Sequence, residues 1–182
     1  IAIYARHADD KLQVIHLKTG NRGELTLPMP KPDAVHLAGL LSRGQWTGAV
    51  VVASPPNERT PTTHKHYSVY HHVTVGQSLP GQYTHSALEC DASLSLQGLV
   101  ATPGDQGRDA YQPLMLHADR RSLLIVGPGG PQRVYQSPSP IRSVSVCFTG
   151  HRIALITLDG ELVVLGHSGR QVLLRVRGTD DA

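Results

Sequence analysis

Long apolar runs are missing from this chain of 182 residues. No apolar stretch approaches the roughly 18 residues that a membrane-crossing helix needs, so no insertion into a membrane is expected. Cysteine is nearly absent too. Cys90 and Cys147 allow one disulfide or none, and neither belongs to a C-x-x-C pair, which excludes zinc-ribbon and thioredoxin readings. Two buried free thiols and a cytoplasmic or otherwise intracellular setting are the expectation. Charge of one sign never gathers: 17 Lys and Arg against 14 Asp and Glu leave a formal net charge of +3. The longest basic run is Arg120-Arg121, with Asp119 beside it. A nucleic-acid binder concentrates Lys and Arg on one face, so nucleic acid is not expected as a direct ligand.

Several catalytic signatures are absent as well. The chain has no G-x-S-x-G elbow and no glycine-lysine pair, so the glycines of Gly127–Gly130 have no phosphate-binding lysine beside them. Asn21 and Asn57 are its only asparagines, and neither lies in a glycosylation sequon. The chain opens on Ile1 without a basic-apolar-small leader, and we read it as a portion of something longer.

Turn formers are plentiful, with 18 glycines and 13 prolines, which favours short elements over long helices. The C-terminal region is organised most clearly. Ser143–Phe148 alternates polar and apolar, and Thr149-Gly150-His151 makes a turn. Arg152–Leu158, the hairpin signal Asp159-Gly160, Glu161–Leu165, a turn at Gly166–Gly169 and Arg170–Val176 then follow. Four short β-rich runs within about 35 residues describe an antiparallel meander. Residues 1–27 repeat part of it: Ile1–Tyr4, Asp9-Asp10, Leu12–Leu17, Thr19-Gly20 and Glu24–Leu27.

The same rhythm can be laid down twice between these ends. One set is Ala34–Leu41, Gly48–Ala53, His66–Val75 and Gln82–Leu88; the other is Leu94–Ala101, Pro113–His117, Ser122–Val126 and Gln132–Gln136. Pro55–Thr63 and Thr102–Ala110 are expected to be long exposed loops, and Ser137-Pro-Ser-Pro140 an extended link. Asp33 could cap a short helix with Ala34, Leu37, Ala38 and Leu41 on one face. Strand is preferred because the repeat expects one there.

Ile141–Val176 resembles a degenerate WD40-like blade of a β-propeller: an alternating strand, the apolar run Ile153–Ile156, Asp159-Gly160, the run Leu162–Leu165, Ser168-Gly169 and a last strand. No Trp-Asp dipeptide closes any repeat, no Gly-His pair opens one, and the lone tryptophan, Trp46, stands before a strand. The resemblance implies an all-β fold of four-stranded antiparallel meanders, forming a propeller or part of one with about four blades. It implies one domain or fragment over 1–182, with repeats at roughly 1–30, 33–90, 92–138 and 140–178. In the family the first strand of a blade lines the central channel. The first repeat here supplies only three strands, which suggests that other residues or another chain complete the ring. In a solitary fragment Ile1, Ile3 and Leu12 would be partly exposed, as would Val163 and Leu165 if the ring stays open.

Residues 63–72 hold four of the eleven histidines. On a strand, His64, His66, Ser68, Tyr70 and His72 share one face. His64 and His66 are the candidate metal ligands, and a metal-dependent β-fold enzyme built on them is one alternative function. They lack a third ligand nearby in sequence, so a solvated polar face is preferred and no metal or other cofactor is expected. His85 with Cys90, oriented by Glu89 or Asp91, could form a base and thiol nucleophile, but a structural cysteine is preferred. Asp9-Asp10, Asp105 with Asp109, and Asp180-Asp181 are expected to be solvated turn and tail residues. Arg133, Arg142 and Arg152 are the candidate contacts to acidic partners. The leading expectation is a non-enzymatic scaffold for protein–protein interaction, within a multi-subunit complex or a larger chain. A nucleic-acid-binding β-domain using scattered arginines is the other alternative.

Overall fold

A computed structural model describes residues 3–8, 11–16, 20, 22–26, 34–42, 45–53, 64–75, 84–103, 109–166 and 174–177. The chain forms two compact units, Ile1–Ala92 and Ser93–Ala182. Among the described residues every regular element is a strand and every pairing is antiparallel. No helix of these residues is long and apolar enough to cross a membrane.

In the first unit, β1 (Ile3–Ala8), β2 (Lys11–His16) and β3 (Arg22–Thr26) form a three-stranded sheet in chain order. The expected first strand, Ile1–Tyr4, instead runs on to Ala8, which pairs with Lys11 across the Asp9-Asp10 turn signal. A second sheet holds β4 (Ala34–Ser42), β5 (Gln45–Ala53), β6 (His64–Val75) and β7 (Thr84–Asp91), again in chain order. Ala34–Ser42 is therefore a strand, and nine consecutive pairs join it to β5. Trp46 lies inside β5, between Leu41 and Val75 on the flanking strands, rather than ahead of the strand. Ala49, Val50 and Val51 are all essentially inaccessible. Successive strand residues point to opposite faces, so this run is covered on both sides, as its lack of alternation requires.

Pairing between β5 and β6 steps from Gly48↔Val73 to Val50↔Tyr70, which leaves one extra residue on β6 at His71-His72. This bulge breaks the alternation expected along the whole histidine-rich segment. Tyr70 is also fully buried although the alternation groups it with exposed His64 and His66. A polar face solvated from end to end is therefore corrected to a solvated beginning and a buried middle. The loop 55–63 lies outside the described residues.

The second unit holds two four-stranded sheets. The first is β8 (Leu94–Pro103), β9 (Asp109–His117), β10 (Ser122–Gly127) and β11 (Gly130–Gln136); the second is β12 (Ile141–Val146), β13 (Arg152–Thr157), β14 (Glu161–Gly166) and β15 (Leu174–Arg177). Strands β8 and β9 extend into what the sequence marks as the loop 102–110, because Thr102 pairs with Ala110 and Pro103 with Asp109. The outer strand β11 carries Pro131 and Arg133, which discourage pairing at an exposed edge.

One apolar cluster joins the two sheets. Val100, Leu114, Leu116 and Leu123 come from the first, and Ile141, Ile153, Leu155, Val163 and Leu165 from the second. Odd-numbered residues of β13 and β14 face this cluster, so Val163 and Leu165 are buried, contrary to the exposure considered for an open ring. Ile156 and Leu158 have the opposite phase and are 41% and 63% exposed. Strands β8 and β12, the first of each sheet, also contact each other. Gly98 permits this approach: a Cβ there would lie 2.9 Å from Val146 Cγ2.

The link 137–140 is held at both ends. The Ser137 N–H donates to the Arg121 carbonyl at 2.8 Å, and the Leu158 N–H donates to the Pro140 carbonyl at 2.8 Å. Arg120, at φ 54°, turns its guanidinium onto the Ile141 and Arg142 carbonyls, with Nε at 2.9 Å and Nη2 at 2.8 Å. Side chain and backbone together thus tie the β9–β10 turn to the start of the next sheet.

Candidate functional site

The most featured surface of the second unit lies at the β12–β13 hairpin. Val146 ends one strand, Arg152 opens the next, and the turn between them contains Cys147, Phe148, Thr149, Gly150 and His151. Gly150 is required there for two reasons. Its φ of +78° suits glycine, and a Cβ would fall 2.7 Å from the Ala101 nitrogen. That nitrogen donates to the Gly150 carbonyl at 3.0 Å, which seats the hairpin on β8.

Beside the turn lies a small, partly enclosed recess with a volume of about 40 Å³, lined mainly by apolar side chains. Val100, Ile125, Val134, Ile153 and Leu165 supply its apolar walls, and His151 also lines it. Phe148 is 37% exposed on the same turn, and Arg152 is exposed where β13 begins. An apolar recess, an accessible aromatic and a guanidinium thus accompany this turn.

Cys147 is half-buried, not buried as its scarcity suggested. Burial pushes its thiol up, but the Thr149 hydroxyl and the N–H groups of Arg152, His151 and Thr149 outweigh this and leave it below the ordinary thiol value. Its Sγ lies 3.3 Å from Thr149 Oγ1 and accepts from the Arg152 N–H at 3.1 Å. Cys90 is buried, and burial with the adjacent Glu89 carboxylate pushes its thiol up. His85 and Cys90 lie five residues apart along β7, a span of about 16 Å, so they form no base–nucleophile pair.

The three arginines are all exposed but do not gather. Arg133 lies on the edge strand β11, where its Nη1 donates to Gln136 Oε1 at 3.1 Å. Arg142 is the extra residue where the β12–β13 register shifts, near the Thr157 end of β13. Arg152 is at the other end of that strand, about 16 Å away. They are separate contact points.

At the end of the β6–β7 pair, His64 stands opposite Asp91 and His66 opposite Glu89. His64 Nδ1 is 3.9 Å from Glu89 Oε1, with both side chains more than half exposed. As the side chains stand, no three of the described His, Cys, Asp and Glu residues converge on one point. The aspartates Asp9, Asp10, Asp105, Asp180 and Asp181 lie outside the described residues, and Asp109 opens β9.

No family model matches the chain, and no curated protein matches it. The sequence marks this hairpin as two strands and a turn, but singles out neither Phe148 nor Cys147 as a surface feature. Thr149-Gly150 marked the turn, but the seating of Gly150 on Ala101 depends on a strand about 50 residues away.

Proposed function

We propose that this chain is a non-enzymatic scaffold of the β-propeller type, with WD40-like repeats, that offers rigid loop ends to protein partners inside a larger intracellular assembly. The observation that carries the reading is the succession of meander sheets in chain order, with the first strands of consecutive sheets, β8 and β12, in contact. Such an arrangement places every second turn at the same end of its sheet and holds it there through the pairing of both flanking strands. A partner then meets surfaces that lose little conformational freedom on binding. The β12–β13 turn with its apolar recess, Phe148 and Arg152 is the foremost docking surface, and Arg133 and Arg142 are further contact points for acidic groups.

Charge reversal tests this reading. Arg133→Glu, Arg142→Glu and Arg152→Glu are introduced singly, and proteins retained from the native cell are compared with those retained by the parent chain. Arg152→Glu is expected to lose a specific retained protein at unchanged melting temperature. Identical retention by all three variants and by an unrelated β-protein would contradict the proposal.

A further inference from the structure

The beginning of β6 and the end of β7 bring together groups that are far apart in sequence. His64 and His66 are two residues apart on β6, a Cα spacing of about 7 Å. Asp91 and Glu89 are their direct partners on β7, where opposite Cα atoms lie about 4.5–5.5 Å apart. Directly paired residues of an antiparallel ladder project to the same face, so two imidazoles and two carboxylates occupy one side. Burial supports this: His64, His66, Glu89 and Asp91 are all exposed, whereas Cys90, one position out of phase on β7, is 5% exposed. The diagonal pair is already close, with His64 Nδ1 and Glu89 Oε1 3.9 Å apart. Two ligands of one tetrahedral zinc ion stand about 3.4 Å apart, given metal–ligand bonds of roughly 2.0–2.2 Å.

We propose that His64, His66 and Glu89 form a surface site for a borderline divalent transition metal such as zinc, with Asp91 or water as the fourth ligand. Imidazole and carboxylate are the ligand types that zinc accepts, and three protein ligands with one open position is a recognised zinc set. Closing the site needs rotation of exposed side chains only, because strand pairing fixes the Cα positions. The sequence suggested two ligands and no third; the fold supplies the others from 23 to 27 residues away. An ion there bridges β6 and β7 and stabilises the folded chain by binding that state alone. The site lies in the first unit and uses none of the residues of the β12–β13 surface.

The test uses the full chain stripped with a chelator and then titrated with zinc in competition with a chromophoric chelator, alongside thermal melts. One ion per chain and a higher melting temperature with zinc are expected. His66→Ala and Glu89→Gln should each weaken binding on the order of tenfold or more, and Lys65→Ala, one position out of phase, should leave it unchanged. Circular dichroism of each variant checks that the sheet is retained. Absence of saturable binding and of any melting shift in the parent chain would overturn the site. So would unchanged affinity in Glu89→Gln, which would mean that histidines alone hold the ion.

Discussion

Asp119 shows how much one side chain can organise a turn. Its carboxylate accepts from the Arg121 N–H at 2.7 Å, the Ser122 N–H at 3.0 Å and the Ser122 hydroxyl at 2.7 Å. The Arg121 N–H foremost, then Ser122 and His117, hold the carboxyl well below the usual carboxylate range against a smaller opposing effect of burial. In sequence, Asp119-Arg120-Arg121 is a short charge run and nothing more. The role of Arg120 was hidden because its partners are carbonyls of the following sheet, which only the fold brings near. A folded pKa below the unfolded value of about 3.9 contributes stability that is full above that pH and fades as pH falls toward the folded value. Asp119→Asn should therefore melt below the parent chain at neutral pH. The gap should be flat above about pH 5 and narrow below about pH 4. A gap that does not change over pH 3–7 would remove the carboxylate from this role.

At the scale of elements, turn chemistry was the most legible part of the sequence. Asp159-Gly160 marks the β13–β14 hairpin, and the structure shows why. Gly160 takes φ +80°, the Thr157 hydroxyl bonds the Asp159 carboxylate, and the Glu161 N–H donates to that hydroxyl at 3.0 Å. Ala34–Ser42 is harder, since its apolar spacing also suits one face of a helix; pairing with β5 settles it as a strand. The bulge at His71-His72 was illegible because it depends on the register of β6 against β5. The cross-strand placement of Glu89 and Asp91 was hidden for the same kind of reason, resting on the register of β6 against β7.

The seating of the β12–β13 hairpin gives a direct check at this scale. Gly150→Ala forces a side chain into a left-handed conformation and against the Ala101 backbone, and should cost about 1–3 kcal/mol. Gly129→Ala, where a Cβ would meet nothing within 4 Å, should change stability by no more than about 0.5 kcal/mol. Equal melting temperatures for the two variants would mean that the hairpin is not fixed on β8.

Across the whole molecule, the all-β character followed from dense turn signals and short apolar runs. Which apolar residues remain open did not, because it depends on the phase of each strand. Val163 and Leu165 point into the cluster of the second unit, while Ile156 and Leu158 stay accessible on the last sheet. Accessible aliphatic side chains on a sheet favour further association. Sedimentation equilibrium of the chain at micromolar concentration, read beside its melting curve, tests the assembly role most directly. A mass above the monomer, lowered toward it by Ile156→Arg, is the expected result. A monodisperse monomer with one sharp cooperative transition would contradict it.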